Sequence, residues 1–167
     1  LQGITHHAQT ISIALTGDFH QYWSGRPKKL VQNISRYERR LATGGLSSRM
    51  VCITSPKEIN AAIARYAMLE SSGWKGKLGT AITINGAQGQ FYEEVMNRFG
   101  NAGDAVIYEL WLGDRLAASR LAVCTRQTIV MLKTAYEESL AQYAPGRVLL
   151  RQVIQEAFDR WPGRTIE

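Results

Sequence analysis

Residues 105–135 read AVIYELWLGDRLAASRLAVCTRQTIVMLKTA. β-Branched, aromatic and aliphatic side chains fill three runs, 105–112, 116–124 and 128–135, which are expected strands. Gly113-Asp114 joins the first pair as a two-residue hairpin turn, and a short turn around Arg126-Gln127 joins the second. The three strands form an antiparallel meander. Downstream, Pro145-Gly146 lead into a helix over 147–160 with Leu149, Leu150, Val153, Ile154, Ala157 and Phe158 apolar, and Pro162-Gly163 stop it. A strand therefore feeds a loop, and the loop feeds a helix N-terminus at about Gly146.

The chain before the meander alternates strand and helix. Residues 10–15 (TISIAL) read as a short strand, and Asp18 caps a short helix through Trp23. Gly25 and Pro27 break that helix. A longer one runs over 27–43 with Leu30, Ile34, Tyr37 and Leu41 at spacings of 4, 3 and 4. Gly44-Gly45 end it. Residues 49–54 are a strand. Ser55-Pro56-Lys57-Glu58 start a helix carrying Ile59, Ile63, Tyr66 and Leu69, which stops near Gly73. After a loop with Gly73, Gly76 and Gly79, the capping pattern recurs at 85–88 and a helix runs to Phe99. The expected class is α+β: a mixed, largely antiparallel sheet flanked by helices, in one domain over 1–167. Within it, 1–48 hold the N-terminal strand and a basic helix, and 49–167 hold the core.

With 167 residues, 45% hydrophobic and 20% charged, the chain has the size and composition of one soluble domain. No apolar run approaches the ~20 residues of a membrane helix. The chain opens at Leu1, with no basic segment leading into an apolar one, so the expectation is a cytoplasmic piece of a longer protein without a signal peptide. Cys52 and Cys124 sit in apolar strand runs, and His6, His7 and His20 lie far from both. Free thiols in a reducing compartment, with no metal site, follow. The net charge of +6 is concentrated: Arg26, Lys28, Lys29, Arg36, Arg39, Arg40 and Arg49 face Glu38 alone. This segment is either a solvated helix face or a surface for an anion.

Several residues are candidates for chemistry. A helix N-terminus at Gly146 presents unpaired N–H groups to a phosphate, with Arg147 and Arg151 adding charge. Pro145-Gly146 equally serve as a plain turn. Lys133 lies in an apolar strand, where a cation needs either a wet head or an acidic partner. Glu109 either points into a cleft as a base or faces solvent. Glu137 and Glu138 follow the last meander strand, where they can cap or orient the loop. Glu70, Trp74 and Lys75 occupy a helix end and a glycine-rich loop where an acceptor can dock, although Trp74 suits a core as well.

Lys133-Thr134-Ala135-Tyr136-Glu137-Glu138, then Tyr143-Ala144-Pro145-Gly146 and Leu149-Leu150, resemble the K-x-A-Y-D-E … S-P-G-x-x-L signature of CelD-like acetyltransferases. Glu70, Gly73-Trp74-Lys75-Gly76 and Gly79-Thr80-Ala81 resemble that family's E-x-x-G-W-K-G … G-T-A segment, and the basic helix over 28–40 is similar to its own. The likeness runs from about 18 to 161. It implies the GNAT fold, lacking the last strands of that fold, and an acetyl-CoA or other acyl-CoA co-substrate. By carry-over, amides of Lys133, Thr134 and Ala135 meet the pantetheine arm. Tyr136, Pro145, Gly146, Arg147, Val148, Leu149 and Arg151 surround the pyrophosphate. Glu109 and Glu137 are the catalytic candidates, and Glu70, Trp74 and Lys75 bind the acceptor, an amine or a hydroxyl on a small molecule or polysaccharide precursor. One departure stands out: Pro145 occupies a phosphate-loop position where the family usually offers an N–H. That departure and the basic helix suit a FemAB-like transferase that uses aminoacyl-tRNA. A non-catalytic binding module is the third reading. An open sheet edge implies a homodimer or a strand exchange there.

Overall fold

The meander forms as its apolar runs dictate. The computed structural model describes residues 11–72 and 86–167. In chain order the elements are β1 (Ile13–Ala14), α1 (Phe19–Ser24), α2 (Lys28–Thr43), β2 (Ser48–Ile53), α3 (Pro56–Ser72) and α4 (Ala87–Asn101). There follow β3 (Ala105–Leu112), β4 (Arg115–Cys124), β5 (Thr128–Tyr136), a 3-10 helix (Glu138–Tyr143), α5 (Pro145–Arg160) and β6 (Thr165–Ile166). Among the described residues the strands build one sheet in the order β1-β6-β5-β4-β3-β2. All neighbours are antiparallel except β5 and β6. The mixed α+β class expected from the sequence is the class observed.

Local chemistry fixes the ends. Asp18 accepts the Gln21 N–H at 2.8 Å and caps α1. Gly113 has φ 59° while Asp114 stays at negative φ, the arrangement of a turn that needs glycine only at its first central position. Two elements had no signal in the sequence reading: the 3-10 helix before α5, and β6. The two residues of β6 join β5 at Thr128↔Thr165 and Ile129↔Ile166, and join β1 on the other side.

The sheet is buried on both faces, which explains why β3 and β4 lack alternation. One layer holds α1, α2 and α5, where Leu149, Val153, Phe158 and Leu41 pack on Tyr108, Leu110 and Ile129. The other holds α3 and α4, where Ile59, Ile63, Tyr66 and Met96 pack on Ile107, Leu121 and Val123. Each fully buried aliphatic side chain contributes about 1.5–3 kcal/mol.

Two irregularities re-aim side chains. Met131 faces Ala122 and Lys133 faces Leu121, so Leu132 is an extra residue in β5. Leu110 faces Ala118 and Trp111 faces Leu116, so Ala117 is the extra residue in β4. Beyond Met131, whose N–H donates to the Glu167 carbonyl at 2.6 Å, no strand among the described residues pairs with the outer edge of β5.

Helices α3 and α4 meet where Gly100 lacks a side chain: a Cβ there would strike Ile59 Cδ1. Gly100→Ala is therefore expected to lose about 1–3 kcal/mol to overpacking, offset in part by the ~1 kcal/mol helix preference of alanine. Ile59→Val removes the obstructing methyl. Urea unfolding of the two single variants and the double variant should show the double to be at least about 1 kcal/mol more stable than additivity implies.

Candidate functional site

The pleat of β5 divides its end between the two layers. Thr134 and Tyr136 face α5, whereas Lys133 and Ala135 face α3 and α4. On the α5 side lies a cleft of about 500 Å³. Thr134 and Tyr136 form one wall, Tyr37 of α2 another, and Ala141, Ala144 and the first turn of α5 the third. Arg120 of β4 lines it as well, and Arg147 stands at the exposed rim. Arg40 of α2 donates to the Gln142 carbonyl at 3.4 Å, which braces the 3-10 helix beside the cleft.

The helix start is shaped by Ala144, the one described residue other than glycine at positive φ, 47°. That conformation costs a residue with a Cβ about 1–2 kcal/mol, and it aims the chain from the 3-10 helix into α5. The Ala144 carbonyl accepts both the Arg147 and the Val148 N–H, at 2.9 and 3.1 Å. Pro145 has no N–H. Gly146 stands over the strand end, and a Cβ there would lie 3.7 Å from Tyr136 and 3.9 Å from Thr134.

Of the expected donor-binding residues, the structure brings together Thr134, Tyr136, Pro145, Gly146 and Arg147. Val148 and Leu149 are core, each 0% exposed. Arg151 points elsewhere: it pairs with Glu38 at 3.7 Å, bonds Gln155 at 2.7 Å, and lies over the Phe19 and Trp23 rings. Arg120 was missed by the sequence reading. Its signal was the same one that singled out Lys133, a cation inside an apolar strand.

On the opposite face, Lys133 lies 3.8 Å from Glu70, within 3.5 Å of Gln88, and over the Tyr92 ring. The Tyr66 hydroxyl donates to Glu70 at 3.2 Å. Burial, followed by the charge of Glu70, pushes that hydroxyl above its ordinary pKa. Glu70 is 3% exposed. Trp74 and Lys75 lie outside the described residues. Glu109 is also buried on this face, and both its oxygens are engaged: Arg65 Nε donates at 2.8 Å and Trp111 Nε1 at 3.0 Å. Glu137 accepts the Ser139 N–H at 3.2 Å and caps the 3-10 helix.

Both cysteines are free thiols. Burial and the neighbouring Glu156 push the Cys52 thiol up to about 12, so it is a protonated packing group rather than a nucleophile at neutral pH. Among the described residues, no helix is long and apolar enough to cross a membrane.

Residues 28–165 match the model of the acetyltransferase (GNAT) domain family, and the chain belongs to that family. GNAT acetyltransferases take an acyl group from acyl-CoA. No curated protein matches the chain by sequence. Solved structures share the fold. The C-terminal domain of a putative lysylphosphatidylglycerol synthetase from Agrobacterium fabrum is 13% identical, with a TM-score of 0.57 over 93% of this chain and 44% of its own. A conserved protein of unknown function from Bacteroides thetaiotaomicron is 12% identical, with a TM-score of 0.54 over 89% and 47%. An aminoglycoside acetyltransferase from an uncultured soil metagenomic sample, in complex with sisomicin, is 7% identical, with a TM-score of 0.50 over 72% and 75%. The chain thus spans less than half the length of the first two. At these identities the likeness is one of fold.

The Glu109 cluster yields a stability test. Arg65→Met leaves a carboxylate buried without its cation. A loss of about 2–4 kcal/mol is expected, less than for a fully enclosed pair because the arginine side chain is 35% exposed. Thermal unfolding should show a clear drop in Tm for Arg65→Met and a smaller one for Arg65→Lys.

Proposed function

We propose that this domain moves an acyl group, acetyl foremost, from acyl-CoA to an amine or hydroxyl of a sugar or polysaccharide precursor, as its CelD-like motifs imply. The observation that carries the reading is the cleft itself: it joins the end of β5 to the start of a 16-residue helix, and the two charged residues among its described lining are both arginines. The residues present fit the group. Gly146 lets a phosphate approach the helix end, where the partial positive charge of the helix favours it. The outer edge of β5 beyond Met131 offers main-chain groups to the amides of a pantetheine arm.

Acyl-CoA supplies the activated carbonyl, and this chain orients it and manages protons. A main-chain N–H on the free edge of β5 polarises the carbonyl as charge develops on its oxygen. The acceptor enters from the layer of α3 and α4, where Glu70 is assigned to hold it; the motif adds Trp74 and Lys75, which lie outside the described residues. Glu109 lies in the same layer, and its fixed pair with Arg65 makes it a positioned charge. Removing the acceptor's proton through Glu109 requires either Arg65 or Trp111 to release an oxygen. Glu137 orients the loop that walls the cleft.

A second reading, transfer from aminoacyl-tRNA, is favoured by α2. Its cations Lys28, Lys29, Arg36, Arg39 and Arg40 are exposed, as are Arg26 and Arg49 on either side of it in the sequence. It requires RNA binding that weakens steeply with salt.

Calorimetric titration with acetyl-CoA, beside CoA and desulfo-CoA, separates the two. The acyl-CoA reading expects saturable binding, weakened at least about tenfold by Gly146→Asp through charge repulsion at the helix end. Gly146→Ala should bind within about threefold of the parent, because its Cβ meets only ordinary contact distances. Unchanged affinity in Gly146→Asp would remove the helix end from the site.

A further inference from the structure

Arg120 has no role in the reaction as set out above, and its position is expensive. It lies on β4 between Tyr108 and Thr134 in register, with its side chain in the cleft under α5. Its Nε is buried and has no hydrogen-bond partner among the described residues. Burial also holds its pKa below the ordinary arginine value. A guanidinium withdrawn from water without a counter-charge destabilises the fold. None of the described residues lining the cleft is acidic, and the only other charge among them is Arg147.

The helix start facing Arg120 is short of donors. Pro145 has no N–H and that of Arg147 is turned back onto the Ala144 carbonyl, which leaves Gly146 as the donor of the first turn without a partner among the described residues. The cleft therefore combines a depleted set of main-chain donors with a surplus side-chain cation. We propose that Arg120 is the counter-charge for the diphosphate of acyl-CoA, supplying from the sheet the donors that the helix start lacks. This rests on the acyl-CoA reading above. A guanidinium fork bonds two non-bridging phosphate oxygens side by side. Each phosphate of the diphosphate bears one negative charge, so Arg120 in the floor and Arg147 at the rim match it. The arginine is a binding and positioning residue, since the diphosphate lies away from the reacting carbonyl.

The test uses the full chain and two donors, acetyl-CoA and S-acetylpantetheine, which lacks the diphosphate. Arg120→Met should weaken acetyl-CoA binding by about 10–100-fold, the worth of a charge-assisted pair. Its affinity for S-acetylpantetheine should stay within about twofold of the parent, because that donor has no charge to lose. Ligand-free Arg120→Met should melt at or above the parent, since the variant removes a half-buried charge that has no acidic partner among the described residues. Inorganic pyrophosphate should raise the Tm of the parent and not of the variant. Arg120→Lys keeps the charge and loses the fork, so an intermediate loss is expected. It also decides the question should Arg120→Met fail to fold.

Parent-like acetyl-CoA affinity in the variants would overturn the proposal and leave the acyl-CoA reading standing. So would equal losses for both donors, which would place Arg120 on the acyl or pantetheine portion. A parent chain that binds no acetyl-CoA would overturn the acyl-CoA reading first, and the proposal with it.

Discussion

One extra residue in β5 sets the site. Before Leu132 the strand sends Ile129 and Met131 toward α5, and after it Thr134 and Tyr136 take that face. In an unbulged strand the period of two would continue. Lys133 and Ala135 would then point at the helix start, and Thr134 and Tyr136 at α3. Lys133 would be lost to Glu70, and a second cation would crowd Arg120. The bulge thus separates a cationic cleft on one face from a compensated acid–base cluster on the other, within four consecutive residues. Bulges recur where a strand must re-aim side chains, and this one lies where the β5–β6 pairing gives out.

The buried charges follow a consistent pattern. Glu109 has two donors on its two oxygens, and Lys133 and Glu70 share a looser contact reinforced by Tyr66. These satisfied groups hold α3 against the sheet. Arg120 is the exception, and it is the charge that opens onto a cavity. Folding alone gives no reason to keep an unpaired cation there. A group whose cost is recovered only when an anion arrives belongs to binding rather than to architecture.

Much of the fold was legible because both faces of the sheet are covered. Continuous apolar runs made β3, β4 and β5 plain, and capping residues such as Asp18 marked helix starts. The pairing at Gly113-Asp114 was legible for the same local reason. Thr165–Ile166 was not, since two residues carry no period and a strand that short is defined by its neighbours. The 3-10 helix at Glu138–Tyr143 likewise has no strong local signature. The cleft was half legible. Pro145, Gly146 and the strand end were found by motif, whereas Arg120 lies outside those motifs: its charge in an apolar strand was visible, but its place in the cleft under α5 is a tertiary fact. Lys133 was recognised as needing a partner, but which acid it meets is a tertiary fact. Trp74 and Lys75 fall outside the described residues.

The pairing of β1 with β6 has a kinetic consequence. Among the described residues, Ile13 and Ala14 pair only with the strand at Thr165–Ile166, and Leu15 adds bonds to Gly163 and Arg164. As the chain leaves the ribosome, β3, β4 and β5 can pair in order through short turns and β2 can join β3 once α3 and α4 have been made, but β1 has no partner among the described residues until Thr165–Ile166 are made. Contacts of that span form late and slowly. The margin of the sheet that carries the free edge of β5 is therefore late to close, and the central meander must hold its shape while that flank waits for Thr165–Ile166 to be made.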